Sequence, residues 1–127
     1  MVELDFQKSG GLIPAVAQDY QSGEVLMLAY ISPESWEETL RSGYATYFSR
    51  SRNQLWKKGE SSGHLQKIHE ILVDCDLDTV IFKVEQFGPG ACHTGHRSCF
   101  YRAIDGENLK EVEKPVFDAG KVYQVKK

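Results

Sequence analysis

The clearest helix signal in this chain of 127 residues is a single short one, Ser32 to Gly43, set among runs that glycine and proline cut short. Ser32 is a good N-cap, since its hydroxyl can accept from an otherwise unpaired backbone N–H. Pro33 suits the first helical position, where a missing N–H costs nothing. Glu34 lies near the positive end of the helix dipole and Arg41 near the negative end. Gly43 can take the left-handed conformation that stops the helix. Trp36 and Leu40 are four apart and share a face. At roughly ten residues such a helix depends on packing of that face.

The other runs read as strands. Leu12 to Tyr20 and the continuous apolar run Val25 to Ile31 flank the turn Ser22-Gly23 and pair as a hairpin, the second strand covered on both faces. Tyr44 to Arg50 is rich in β-formers, and Asn53 to Lys57 gives another short strand. Leu65 to Cys75 fits helix or strand by length, and its β-branched content favours strand. In Val80 to Glu85 the residues Val80, Phe82 and Val84 alternate with Ile81, Lys83 and Glu85, and Gly88-Pro89-Gly90 ends the run. Cys99 to Ile104 reads as a further strand. Beyond Asp105 only Val116, Phe117, Val122 and Tyr123 give a weak strand signal. The expected class is α+β: a mostly antiparallel sheet, one short helix in the N-terminal half, and a single domain over 1–127 with its core at about 11–104 and a tail at 105–127.

Composition narrows the function. Hydrophobic residues make up 41% and charged residues 26%, enough apolar surface to exclude a wholly disordered chain. The net charge of −3 argues against a general nucleic-acid coat or a basic membrane binder. Val25 to Ile31 is far too short for a bilayer span, and the N-terminus lacks the apolar core of a signal peptide. Three cysteines, an odd count, fit a reducing, cytoplasmic setting in which Cys75, Cys92 and Cys99 are thiols, metal ligands or a nucleophile.

Three constellations carry chemistry. In Asp74-Cys75-Asp76-Leu77-Asp78, an extended backbone would turn the three carboxylates one way and Cys75 the other. Three carboxylates on one face call for a hard cation such as Mg²⁺ or a basic cluster. The competing reading, a solvated acidic turn with Cys75 in the core, is the commoner use of such a string. The second constellation, Ala91 to Cys99, crowds Cys92, His93, His96 and Cys99 into a glycine-containing loop. Its C-x6-C spacing is not that of a zinc finger, yet four potential ligands favour a transition metal, Zn²⁺ above all. Cys75, Cys92 and Cys99 together make a three-thiolate set with one open position, which would lower the pKa of bound water and supply hydroxide. His93 or His96 could instead close the site as fourth ligand. The third constellation, Ser49 to His64, holds Arg50, Arg52, Lys57 and Lys58 before any acid. Its hydroxyls (Ser51, Ser61, Ser62) and glycines suit an anion, and Trp56 can stack on a base or fill core. A solvated basic hairpin is the bland alternative.

Taken together these strings resemble phosphoribosyl-AMP cyclohydrolase. The likeness is carried by Gly11 to Asp19, Gly23 to Tyr30, Tyr47 to Arg52, Leu55 to Gln66, Asp74 to Asp78, Ala91 to Gly95 and Ser98 to Phe100, in the family's order. It implies an enzyme of histidine biosynthesis that opens the adenine ring of N1-(5-phosphoribosyl)-AMP, here in a monofunctional form. Zn²⁺ would be held by Cys75, Cys92 and Cys99, and Mg²⁺ by Asp74, Asp76 and Asp78. The resemblance also implies an intertwined homodimer whose zinc is shared, Cys75 coming from one chain and Cys92 and Cys99 from the other. Hydroxide on that zinc would attack C6 and the C6–N1 bond would break. His93 is the candidate proton shuttle, with His64 and His69 in reserve. Arg50, Ser51, Arg52, Trp56, Lys57, Lys58, Ser61 and Ser62 are the candidate substrate contacts. Two other readings compete: a structural-zinc module that holds RNA or a nucleotide, and a thiol enzyme with Cys92 or Cys99 as nucleophile. The latter leaves Cys75 and the three aspartates without a role.

Overall fold

In Ile13–Asp19, strand β1, every second residue is buried: Ile13, Ala15, Ala17 and Asp19 face inward. β1 is central to a six-stranded sheet in a computed structural model that describes residues 2–118. The remaining elements follow as β2 (Val25–Ile31), α1 (Pro33–Ser42), β3 (Thr46–Ser49), β4 (Gln54–Lys57), β5 (Gln66–Val73) and β6 (Val80–Gln86), then the separate hairpin of β7 (Arg102–Asp105) and β8 (Asn108–Glu111). The sheet runs β4-β3-β2-β1-β6-β5. Its pairs are antiparallel except β1 with β6, where Ala15 faces Val80 and Ala17 faces Phe82 in parallel. The sheet is therefore mixed. A parallel pair needs a long crossover, and here β2, α1, β3, β4 and β5 together make it.

The helix forms as its end signals require. The Ser32 hydroxyl accepts from Ser35 N–H at 3.1 Å, and the Ser35 hydroxyl accepts from Ser32 N–H at 2.8 Å. Gly43 has φ 79° and its N–H donates to Thr39 O, closing the last turn. The packed face differs from expectation. Ser35, Trp36 and Thr39 are buried, while Leu40 is exposed. Thr39 wins the inward position through its hydroxyl, which accepts from Thr46 N–H at 3.0 Å and donates to Ser35 O at 2.9 Å. Trp36 stacks parallel to Phe82, 6.4 Å between centroids.

The core lies between helix and sheet: Ile13, Ala15 and Ala17 from β1, Leu26 and Ile31 from β2, Tyr47 from β3, and Val80, Phe82 and Val84 from β6. β6 thus alternates as its sequence predicts. β2 does not have two covered faces, because Val25 and Leu28 are exposed in the single chain. β5 is a strand, with an irregular register between Ile68 and Glu70. The predicted strand from Cys99 begins only at Arg102, since Ser98 and Cys99 are bound to β2 and Phe100 N–H donates to Ser98 Oγ. The tail signal was misplaced as well. Val116 and Phe117 form no strand, Asn108–Glu111 does, and Val122 and Tyr123 lie outside the described residues. A two-residue connection, with Gly106 at φ 65°, folds β8 back on β7. No helix among the described residues is long and apolar enough to cross a membrane.

Candidate functional site

The β3–β4 hairpin, the turn after it and the loop following β6 enclose a cavity of about 610 Å³. Met27 lies in its wall from β2. Ser51, Arg52, Trp56, Lys58, Ser61 and Ser62 reach it, six of the eight basic, hydroxyl and aromatic candidates. Arg50 does not. Its guanidinium lies 4.0 Å over the Tyr30 ring. Lys57 is also directed elsewhere, its ammonium 5.4 Å over the Tyr44 ring.

Lys58 is buried, and its ammonium donates to the Ala91 carbonyl at 2.6 Å. The basic run therefore reaches across and ties down the loop that carries Cys92 and Cys99. Two further anchors hold that loop. Arg97 donates to Glu24 Oε1 at 2.8 Å and to Asp19 Oδ1 at 3.1 Å. Ser98 Oγ donates to Val25 O at 2.8 Å, and Cys99 N–H donates to Leu26 O at 2.7 Å. Burial alone would raise the Asp19 pKa. Hydrogen bonds from the Ser22 and Gln21 N–H groups and the Arg97 charge outweigh it, so the carboxyl sits below its ordinary value.

The three candidate histidines separate. His93 is exposed and lines the cavity. His64 is buried, with Nδ1 3.2 Å from Gly90 O. Burial, helped by the Lys58 charge, pushes its pKa down against the pull of that carbonyl, so its ring is neutral near pH 7 and Nδ1–H is the donor. Gly88, at φ +78°, allows this packing: a Cβ there would stand 2.4 Å from His64 Cδ2. His69 lies away from the cavity on β5, stacked on Tyr20 at 3.9 Å and 3.1 Å from Glu85 Oε1.

The cysteines fall into two places. Cys92 is buried and Cys99 stands in the cavity wall. Crowding by surrounding protein, and then the Cys92 sulfur beside it, push the Cys99 thiol up to about 12, while Lys58 pulls the other way. Two adjacent thiols suit a soft cation that replaces their protons. Cys75 sits on the β5–β6 turn and is exposed, not in the core. It precedes β6 and the other two follow it, and that strand alone spans about 20 Å.

The Asp74–Asp78 string is a turn, not an extended segment, so the alternation argument fails. Leu77 takes φ 65°, and the Asp74 carboxylate accepts from Asp78 N–H at 3.0 Å and Thr79 N–H at 3.2 Å. The turn gathers the carboxylates instead of alternating them. Asp74, Asp76 and Asp78 bring ligand atoms within 4.8 Å of one another, a donor set that fits a hard cation. Lys8 Nζ lies 2.6 Å from Asp76 and 3.2 Å from Asp78. That contact first, and a hydrogen bond with Asp78 second, hold Asp76 down at about 2, while Asp78 is raised by sharing with Asp76.

Among the described residues, a β-rich fold with one helix surrounds a cavity lined by cations, hydroxyls, a histidine and a thiol, the profile of a small-molecule enzyme. The chain belongs to the phosphoribosyl-AMP cyclohydrolase family, whose model matches residues 27–101. A phosphoribosyl-AMP cyclohydrolase of Desulfotalea psychrophila is 65% identical over 124 residues, 97% of this chain and 98% of the relative. One of Desulfatibacillum aliphaticivorans is 60% identical over 98% of this chain and 99% of its own length. One of Haloquadratum walsbyi is 58% identical over 97% of this chain and 89% of its own length. The relatives are hydrolytic enzymes, and this membership sets aside the reading as a structural-zinc binding module.

Proposed function

We propose that this chain hydrolyses the C6–N1 bond of N1-(5-phosphoribosyl)-AMP, opening the adenine ring in histidine biosynthesis. The observation that carries this reading is the cavity itself: Arg52, Lys58 and the hydroxyls of Ser49, Ser51, Ser61 and Ser62 line it together with His93 and Cys99. Positive charge and hydroxyls suit the 5′-phosphates, and Trp56 offers an aromatic face to the purine. Alkylation at N1 makes C6 electrophilic. His93 takes a proton from the water that adds at C6 and returns one to N1 as the C6–N1 bond breaks, leaving a carboxamide and an opened formimino arm.

The reading includes two metals. Cys92 and Cys99 would hold Zn²⁺ with a third thiol, Cys75, and the aspartate turn would hold Mg²⁺. Bound zinc would supply the Lewis acidity that makes water a nucleophile near neutral pH. Cys75 lies at the far end of β6 from the other two thiols, which supports a homodimer in which it completes the site of a second chain. The setting we propose is the cytoplasm.

The test uses purified protein stripped with chelator and given N1-(5-phosphoribosyl)-AMP. Ultraviolet absorbance follows ring opening. We expect no turnover until Zn²⁺ and Mg²⁺ are restored. Absence of turnover in folded, metal-replete protein would overturn the proposal, and full turnover in metal-free protein would favour the thiol mechanism.

A further inference from the structure

His96 was set apart at first as one of four potential ligands in its loop. It is 5% exposed, and it is hydrogen-bonded at both ring nitrogens. Nε2 lies 2.7 Å from Glu111 Oε1, at the end of β8. Nδ1 lies 2.7 Å from Thr94 Oγ1, and that oxygen lies 2.9 Å from Cys92 Sγ. The ring is stacked on Tyr101 with centroids 3.5 Å apart and planes 8° from parallel. Its own carbonyl accepts from Cys92 N–H at 3.1 Å, so both the main chain and the side chain of His96 bear on Cys92.

Four side chains thus form one line: Glu111, His96, Thr94, Cys92. A carboxylate can only accept, so Nε2–H donates to Glu111. In the neutral ring Nδ1 is then an acceptor and takes the Thr94 hydroxyl proton. The last contact can run either way: as a thiol Cys92 donates to Thr94 Oγ1, and as a thiolate it only accepts, so the Thr94 hydroxyl turns to it. In both forms the contact sets the rotamer of Cys92. Glu111 enters from a hairpin that makes no sheet with the rest of the fold. Its contribution to the cavity is therefore made through this line.

We infer that Glu111, His96 and Thr94 are positioning residues that place the Cys92 sulfur before a metal arrives. The inference rests on the reading of Cys92 as a zinc ligand. Partners of this kind, behind a ligand, commonly matter about 10–100-fold for metal affinity. Each link removed lets the sulfur rotate, and ordering it again weakens binding.

The experiment measures zinc affinity by competition with a chromophoric chelator, in wild type, Thr94→Val, Thr94→Ser, Glu111→Ala and the Thr94→Val/Glu111→Ala double variant. Thr94→Val and Glu111→Ala should each weaken zinc about 10–100-fold. Thr94→Ser, which keeps the hydroxyl, should match wild type. The double variant should be no weaker than the worse single one, because both cut the same line. A second readout needs no metal. Long-range proton–nitrogen NMR of the imidazoles should show His96 as the Nε2–H tautomer in wild type and a tautomer mixture in folded Glu111→Ala. Wild-type zinc affinity in Glu111→Ala, or losses that multiply in the double variant, would overturn the inference alone. A folded wild type that takes no zinc at its thiols would overturn the metal reading and this inference with it.

Discussion

His93 faces the cavity from the same loop as Cys92 and Cys99, and no other candidate histidine does so. His64 is neutral and committed to Gly90, and His69 is paired with Tyr20 and Glu85. His93→Ala should therefore lower kcat by about 10²–10⁴ with a smaller change in KM, while His69→Ala leaves both near wild type. Steady-state kinetics on the two variants separates them. Asp19 gives a prediction of a different kind. Its carboxyl is depressed below the ordinary value of 3.8, so its contribution to stability is complete above that pH. The contribution disappears as pH falls through the lower folded value. Urea unfolding of Asp19→Asn should show a deficit against wild type at pH 6 that shrinks below pH about 3.8. An equal deficit at pH 6 and pH 3 would mean that the ionised form carries none of it. At this scale the sequence was informative about residue type and poor about direction. Arg50 and Lys57 stand in the basic run as plainly as Arg52 and Lys58. Contacts made outside the run, with the rings of Tyr30 and Tyr44, take Arg50 and Lys57 away from the cavity. The Thr94 and Glu111 contacts had no signal at all, being 17 residues apart in the chain and joined by a fold-back.

The elements with local signals were the ones legible beforehand. Ser32, Pro33 and Gly43 bound the helix correctly because caps depend on neighbours within four residues. Ser32→Ala should cost about 1 kcal/mol of unfolding free energy, read from the denaturant midpoint. It removes the acceptor for Ser35 N–H inside a buried turn. Leu40 was misread because a four-residue spacing says which side chains are neighbours, not which pair faces the sheet. For the Asp74–Asp78 string the acidic-turn alternative is the one the backbone takes: Leu77 at φ 65° breaks the alternation that an extended strand would need. The turn itself draws the three carboxylates within 4.8 Å of one another. The β8 strand was missed since Asn108, Lys110 and Glu111 carry no β preference. It is held by pairing with β7 and by Gly106, not by propensity.

For the whole molecule, the class and the β1–β2 hairpin were legible beforehand and the relatives establish the family, whereas the mixed order of the sheet came from neither. The parallel β1–β6 pair joins segments 65 residues apart and has no local signature. The same sheet sets Cys75 and the Cys92–Cys99 pair at opposite ends of β6, and this leads to a test of the shared site. Cys75→Ser and Cys99→Ser chains should each be inactive. Refolded together, they should regain activity, because a mixed dimer holds one site made only of intact residues. A mixture as inactive as its parts would show that each site is built within one chain.

The central strand also has a history. β1 leaves any assembly line of the chain early, and its partner β2 follows within a few residues. Its other edge must wait for β6. At about 5–20 residues per second of synthesis, the row of amides and carbonyls from Ala15 to Asp19 stands open for several seconds, offering itself to any extended strand nearby. Contacts that close over so long a stretch of chain form slowly in refolding too. The segment Ile13–Asp19 carries one charge, at its end, and a proline near its start. Those two residues are what guards this edge until the strand that belongs there arrives.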